Sequence, residues 1–572
     1  MKLIILLPFF VSLTILSTCT DISRSLIINA NIVTEKGKIF HDKAILIENQ
    51  LIKEIDSQSD LMKKYKNLPV IDIKHRWLYP GFSDAHLHIL STGRWLSQPD
   101  LTKARSVSQI QQILKDYIKR NPSQQWIIGR GWDQNNWETK KFPNKTILDE
   151  ISKTKPILLY RVDGHTVWVN SKVLEIAGVD KNTPDPKGGK ILRLEDGTPS
   201  GVLIDKATNL VTKYIPEEDP ATKEKYIKGA LQYFSSMGLT EVHDAYLDVS
   251  LIPLFRKLER HNELPLRVYL MVGNESSPEN LIKFMQGNKP LIPDKTGFLT
   301  IRTIKTFADG ALGSRGALLF EPYEDEPSSR GLSLIAHRDL LEICNTAKET
   351  GYQVATHAIG DSACHFVLKT FIESAGENTK KLRWRIEHSQ ILFPQKRKFL
   401  INGETMYLTS FEAFARFGII PSMQPVHCIS DMPWVPARIG KKRARYSYAW
   451  KTLISNGAII PAGTDCPVEP ADPILNFYAA VTRKDTSGKP EKGWFPEEKV
   501  DRLTSLKMLT TWPAYASFKE DYKGKIKPGY LADFTVLDKN ILDCPEEEIL
   551  KTRVEMTIVG GKVIYSKKPH SF

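Results

Sequence analysis

The sequence predicts an α/β protein built on a (β/α)8 TIM-like barrel, with an inserted cap region and a small β-sandwich formed from both chain ends. Short apolar runs alternate with helical stretches through the middle of the chain, which is typical of a parallel sheet. Both ends contain short strand-like segments. The chain has 572 residues, well above the roughly 250 residues typical of such a barrel, so large insertions are expected.

The first segment, residues 1–19, has the features of an export signal. Met1 and Lys2 form a small basic region, and the apolar run 3–16 is shorter than the roughly 20 residues that a spanning helix needs. The ending Leu-Ser-Thr-Cys resembles a bacterial lipoprotein processing site, with Cys19 as the lipidated residue. The protein is therefore expected to be exported to the bacterial cell envelope and anchored to a membrane through this lipid. Thr18 departs from the Gly, Ala or Ser usual at that position, which keeps ordinary secretion and an uncleaved anchor as alternatives.

Residues 23–79 and 516–572 are predicted to combine into one composite β-sandwich. Strand-like runs occur at 26–28, 44–47 and 51–55 near the start, and at 532–537, 554–559 and 562–565 near the end. Gly560-Gly561 between the last two is a strong hairpin signal. Neither end has enough strands to bury a core alone.

Residues 80–515 are predicted to form the barrel, and an insertion at about 95–228, rich in Trp, Pro and Gly, is expected to cap its mouth. The candidate barrel strands are short, apolar and separated by helical stretches such as 338–348 and 362–374. They are 80–88, 240–244, 301–307, 353–357, 383–388, 419–424 and 458–465.

The composition is that of an ordinary globular protein. Hydrophobic residues make up 41% and charged residues 25% of the chain, and the mean hydropathy is −0.28. These values exclude the disordered, collagen-like and multi-span membrane classes. The net charge of +13 is spread thinly, and no zinc finger or RNA-recognition motif accompanies it. No nucleic-acid partner is expected.

Five metal-ligand side chains are predicted at the ends of barrel strands. His86 and His88 are two residues apart on a strand, so both imidazoles point to the same side. His357, His388 and Asp465 close later strands. The C-terminal ends of barrel strands converge on one rim, and imidazole is a good ligand for zinc and similar ions. The sequence therefore predicts a metal site at this rim.

Lys305 lies inside another apolar barrel strand, at 301–307. Burying its ammonium is costly unless the group is paired or neutral. Either it pairs with a carboxylate such as Asp309, or its amine is neutral and has been modified to supply an anionic bridging ligand.

Longer motifs surround these residues. They are YPGFSDAHLH at 79–88, GRGWDQNNW at 129–137, DGH at 163–165, VNS at 169–171, KTFADG at 305–310, MQP at 423–425, GTD at 463–465 and PGYLAD at 528–533. With these motifs the sequence resembles amidohydrolase family three, a branch of the amidohydrolase superfamily of metal-dependent hydrolases. The resemblance covers nearly the whole chain after the signal.

The resemblance implies a ligand set and a mechanism. His86, His88, His357, His388 and Asp465 would bind one or two divalent ions, with zinc as the expected metal, and a carboxylated Lys305 would bridge them. Because a divalent ion lowers the pKa of bound water towards about 7, a metal-bound hydroxide would attack the substrate. Asp465 is the expected general base, with metal ligation alone as the alternative.

Six further residues are candidate substrate contacts, each with a structural alternative. Trp132 and Asp133 would line the pocket or only pack the cap, and His165 would reach substrate from the cap or serve as a structural hydrogen-bonding residue. Asp309 and Arg315 follow the lysine strand, where barrel loops build active sites; Arg315 would bind a carboxylate or form an ion pair. His427 would hydrogen-bond substrate or the tetrahedral oxyanion.

The predicted activity is hydrolysis of a non-peptide C–N bond in a small molecule of the N-acyl, formamide or cyclic amide type. The alternatives are a one-metal deaminase or an ester or lactone hydrolase on the same barrel, and a catalytically inactive surface binding protein, because fold alone does not settle function. The sequence is compatible with a monomer or an oligomer.

Overall fold

The computed structural model describes residues 23–161, 166–187, 189–273, 277–401 and 403–567, without the side chain of Asn136.

Strands from both chain ends pair with one another: Phe534–Leu537 runs antiparallel to Trp77–Pro80. They belong to a six-stranded sheet in the order Lys562–Ser566, Val554–Val559, Phe534–Leu537, Trp77–Pro80, Asn31–Val33, Ile39–Phe40. A four-stranded sheet has the order Leu51–Ser57, Lys43–Glu48, Arg24–Ile28, Val70–Asp72.

The centre of the fold is a nearly closed parallel barrel. Seven strands lie side by side in the order Phe82–Leu87, Leu239–Asp248, Arg267–Gly273, Leu299–Phe307, Gln353–Ala358, Arg385–His388, Ile420–Ser422. The predicted α/β barrel class is thereby supported, with seven assigned strands rather than eight.

The gap between the first and seventh barrel strands is bridged by the irregular segment 461–466. The Gly463 N–H donates to the Met423 carbonyl at 3.0 Å on one side. On the other side, the Ala85 N–H donates to the Ala462 carbonyl at 2.9 Å, and the Asp465 N–H donates to the His86 carbonyl at 2.7 Å. The expected strand 458–465 is therefore present as a hydrogen-bonded connection and not as regular strand.

The third barrel strand, Arg267–Gly273, is absent from the predicted strands and is buried along its whole length. Its first residue carries a charge that is unfavourable inside a barrel unless it is compensated. The compensating carboxylate belongs to Asp533, 2.8 Å from Arg267 Nε and 266 residues away in sequence. The apolar run 268–272 is a local signal for this strand, whereas the distant partner of Arg267 has none.

The insertion forms a five-stranded sheet of its own, with apolar clusters on both faces. Neighbouring residues alternate between the faces: Leu159 and Trp168 join one cluster, and Leu158 and Val167 join the other. The strand order is Gly189–Arg193, Pro199–Asp205, Thr166–Val169, Ile157–Arg161, Ile127–Trp132.

Helices connect and surround these sheets, and no described helix is both long and apolar enough to cross a membrane. A separate antiparallel hairpin joins Arg397–Ile401 to Glu404–Leu408. The α-helices before the fifth barrel strand are Gln58–Lys64, Ile89–Ser97, Val107–Arg120, Lys145–Asp149, Ser171–Ala177, Asn209–Thr212, Pro220–Ser236, Ile252–Arg260, Pro278–Gly287 and His337–Thr350. Those after it are Asp361–Ala375, Thr379–Leu382, Ser410–Phe417, Pro425–Asp431, Val435–Ala444, Trp450–Ser455, Pro473–Thr482, Arg502–Leu509, Thr511–Ala516 and Glu546–Ile549.

Candidate metal centre

Three of the predicted ligands meet inside the barrel. His86, His388 and Asp465 each offer a ligand atom, and these atoms all lie within 4.8 Å of one another. All three residues are buried. They come from the first strand, the sixth strand and the bridging segment, which are brought together only by closure of the barrel.

The other three histidines of the site surround this cluster. His88 Nε2 lies 3.0 Å from Asp465 Oδ1, and His427 Nε2 lies 3.9 Å from Asp465 Oδ2. The ring centroids of His357 and His388 are 4.5 Å apart, and the His427 ring is stacked on that of His388 at 6.1 Å. The predicted ligand histidines and His427 therefore share one pocket.

Two of the predicted ligands, His388 and Asp465, have backbone conformations that direct their side chains toward the barrel interior. The φ angles of His388 and Asp465 are 72° and 59°, in the left-handed region that non-glycine residues rarely adopt. On a regular strand, His388 and its neighbour Glu387 would point to opposite sides. Because of this turn, both side chains reach the barrel interior.

Burial and neighbouring charges both shift the pKa values of the residues at the centre. Burial disfavours the charged form of Asp465, but His86 and His88 hold the pKa of its carboxyl well below the usual range. Burial and the nearby Lys305 charge lower the pKa of His357 to about 3. Burial, together with neighbouring imidazoles, also keeps the pKa of His388 well below its ordinary value. His357 and His388 are thus neutral at pH 7, the state in which imidazole binds metal.

Lys305 lies in the same interior. It is buried, and its Nζ is 4.7 Å from the centre of the Phe307 ring. Burial lowers the pKa of its amine, while the charges of Glu387 and Asp465 oppose that shift. Asp309, its alternative partner, instead accepts three backbone N–H groups from Leu318, Ile359 and Gly360 at 2.8–3.0 Å.

The donor set fits a divalent cation. Buried His357 Nε2 and His427 Nε2 have no hydrogen-bond partner within the described part of the chain. Atoms left unpaired in this way are costly unless another group satisfies them. Imidazole nitrogens together with a carboxylate oxygen are ligands that zinc prefers.

Comparison with known proteins agrees with this chemistry. The model of the amidohydrolase family matches residues 69–565. The chain belongs to the amidohydrolase family. This confirms the resemblance drawn from the sequence motifs and implies use of a divalent metal.

Individual relatives cover nearly the whole amidohydrolase chain. The protein YtcJ of Bacillus subtilis (strain 168) is 34% identical over 92% of this chain and 96% of its own. A metal-dependent hydrolase from Pyrococcus horikoshii OT3 has a similar structure, with a TM-score of 0.74, 28% identity and coverage of 92% and 99% of the two chains. The N-substituted formamide deformylase of Arthrobacter pascens is 23% identical over 96% of this chain and 99% of its own.

The remaining predicted contacts of this amidohydrolase lie in structural environments. Arg315 pairs with Asp325 at 3.1 Å, and Asp325 also pairs with Arg438. Trp132 is fully buried among the aromatic rings of the insertion, and its indole N–H donates to the Leu159 carbonyl at 2.8 Å. Their assignment to substrate binding remains a prediction.

Three further predicted residues are Asp133, His165 and Cys19, and of these only Asp133 lies in the described part of the chain. Asp133 caps the turn at 134–136 and pairs with Arg161 at 2.8 Å. His165 and Cys19 lie outside the described residues, so their roles also remain predictions.

Sequence reasoning missed the groups that hold the ligands in place. Glu387 Oε2 is 2.5 Å from His86 Nδ1, and Gln424 Oε1 is 2.8 Å from His388 Nδ1. Arg385 donates to both oxygens of Glu387, at 2.7 Å and 3.2 Å. The available signal was the alternation of Arg385 and Glu387 on one face of a short strand inside the barrel, where two buried charges are costly unless they are compensated.

Proposed function

We propose that this protein is a metal-dependent hydrolase that cleaves a non-peptide C–N bond in a small molecule, of the N-acyl, formamide or cyclic amide type. The observation that carries the proposal is the buried Asp465 carboxylate, whose Oδ1 lies 3.0 Å from His88 Nε2 and 3.5 Å from His86 Nε2. Support for the bond class comes from the deformylase relative, which is named for N-substituted formamides.

A divalent ion at this centre would polarise the substrate carbonyl and lower the pKa of the attacking water towards about 7. His86, His88, His357, His388 and Asp465 would hold it. Asp465 accepts the proton of the attacking water on its carboxylate and passes it to the leaving nitrogen. His427, whose Nε2 lies 3.9 Å from that carboxylate, would hydrogen-bond the substrate oxygen as charge develops on it.

The direct test is turnover of a substrate panel by the zinc-loaded protein. N-acyl amino acids, N-substituted formamides and cyclic amides should include at least one substrate hydrolysed in proportion to bound metal. Esters, lactones and aminated heterocycles form the comparison set. Turnover confined to that set would favour the ester, lactone or deaminase alternative, and metal binding without any turnover would favour a binding protein.

We further expect Lys305→Met to lower the number of divalent ions bound per chain from two to one or none. A carboxylated Lys305 would bridge the ions, and methionine cannot supply that oxygen ligand. The measurement is metal content after loading with zinc and bicarbonate. Lys523→Met is the matched control, because Lys523 is equally buried but lies against Glu241 and Ser83. Two ions retained by Lys305→Met would refute the bridge, and one ion in the unaltered protein would favour the one-metal alternative.

The export proposal has its own test. We propose that Cys19 carries a lipid, so that Cys19→Ala should move the protein from the membrane fraction to the soluble fraction of an expressing bacterium. Loss of the acyl chains removes about 0.8 kcal/mol of membrane affinity per buried methylene group. Ser17→Ala, two residues earlier, leaves the thiol in place and should keep the protein in the membrane fraction. Equal membrane retention of both variants would point to an uncleaved anchor.

A further inference from the structure

The two histidines at the centre of the metal cluster have different partners behind them, and this difference has a functional consequence. We propose that Glu387 and Gln424 make His86 and His388 ligands of unequal strength, with His86 the strong donor through which a divalent ion is chiefly held. The inference rests on the proposed metal site and deepens it.

Behind His86 stands a charged acceptor. Glu387 Oε2 lies 2.5 Å from His86 Nδ1, and both residues are buried. A carboxylate held by an arginine only accepts, so the shared hydrogen belongs to His86 Nδ1. His86 Nε2 is then the free nitrogen, and it faces Asp465 Oδ1 at 3.5 Å. A hydrogen-bonded carboxylate raises the electron donation of the imidazole to a metal.

Behind His388 stands a neutral acceptor. Gln424 Oε1 lies 2.8 Å from His388 Nδ1, and the Gln424 amide N–H donates to the Ser422 carbonyl at 3.3 Å. That second bond fixes which end of the amide faces the imidazole. Hydrogen bonds to an ionised acceptor are roughly twice as strong as those between neutral groups, so His388 receives less support than His86.

Arg385 keeps Glu387 in its supporting position. Besides both oxygens of Glu387, the guanidinium donates to the Ala85 carbonyl at 2.7 Å and to Ser422 Oγ at 2.8 Å. It thus connects the first, sixth and seventh barrel strands. With both oxygens occupied, Glu387 remains behind His86 and does not become a ligand itself. Glu387 and Arg385 are positioning residues that act through His86.

Exchanging the two acceptors tests the proposal. Glu387→Gln should weaken zinc binding about 10–100-fold, the range seen when such supporting partners are removed. Gln424→Glu should strengthen it, because it places a carboxylate behind His388. The measurements are the zinc dissociation constant, by competition with a chromophoric chelator, and the visible spectrum of the cobalt-loaded protein. Opposite effects on affinity are not expected from a merely structural role.

Thr303→Val is the matched control. The Thr303 hydroxyl is buried in the same barrel interior, 2.7 Å from Gln353 Oε1 and 2.8 Å from the Tyr269 hydroxyl, neither of which is a candidate metal ligand. It should leave the zinc dissociation constant unchanged. Glu387→Gln leaves Arg385 without its full charge partner; should that variant not fold, Gln424→Glu compared with Gln424→Met still measures the effect of an acceptor behind an imidazole.

Unchanged affinities, or equal losses in both exchange variants, would overturn the inference while leaving the proposed function intact. If the unaltered protein bound no divalent ion, the proposed function would fail as well. The two failures are distinguishable because the unaltered protein is measured first.

Discussion

Asp465→Asn should lower kcat by about 10²–10⁴-fold, the usual contribution of a general acid–base residue, while leaving most of the bound metal in place. The substitution keeps the size of the side chain but removes its ability to take a proton. His86 and His88, the two imidazoles that hold its pKa well below the usual range, remain as ligands. Steady-state kinetics and metal content of the same preparation measure the two effects separately.

Asp472→Asn provides the control for this experiment. Asp472 lies on the same loop and caps the helix Pro473–Thr482 by accepting the Ile474 and Leu475 N–H groups. Asparagine caps helices about as well as aspartate, so this variant should retain full turnover. Near-normal turnover in Asp465→Asn would contradict the general-base role. Parallel loss of metal and turnover would reduce Asp465 to a ligand.

The largest expected effect on stability comes from Asp533→Ala. Asp533 forms a bidentate ion pair with Arg267, at 2.8 Å and 3.1 Å, and also accepts the Gly560 N–H at 2.8 Å. Both charged groups are almost completely buried, so removing one leaves the other uncompensated in the interior. Breaking such a pair costs about 3–5 kcal/mol.

Urea denaturation should show this loss as a lower free energy of unfolding. Lys43→Gln is the control, because Lys43 and Asp56 form an exposed pair at 3.2 Å on the four-stranded sheet. Exposed pairs contribute little because water screens them. The free energy of unfolding of this variant should therefore equal that of the unaltered protein. A loss below about 1 kcal/mol in Asp533→Ala would show that the barrel and the terminal sheet are not joined through this pair.

Much of the candidate metal site could be predicted from the sequence alone. The spacing of His86 and His88, and the positions of His357, His388 and Asp465 at the ends of apolar runs, predicted convergence at one rim, because parallel strands of a barrel end together. Three of these residues form the cluster in the structure, and His88 and His357 adjoin it. The family and its dependence on a divalent metal follow from the same motifs.

Other features depended on contacts between distant segments. The charge of Arg267, at the start of the third barrel strand, is compensated by Asp533 from the far end of the chain. Asp309, which follows the lysine strand, likewise accepts N–H groups from Leu318 in its own connection and from Ile359 and Gly360 after the fifth barrel strand.

By itself, the sequence determined the barrel class, the family and the candidate metal-binding residues, since periodicity and residue type are local properties. Only the tertiary structure decided which groups stand behind those ligands: Glu387 behind His86, Gln424 behind His388, and Arg385 joining three strands. The physical reason is that a hydrogen bond depends on distances of a few ångströms and on direction. For residues such as His86 and Glu387, 301 positions apart, closure of the barrel sets both the distance and the direction of the hydrogen bond.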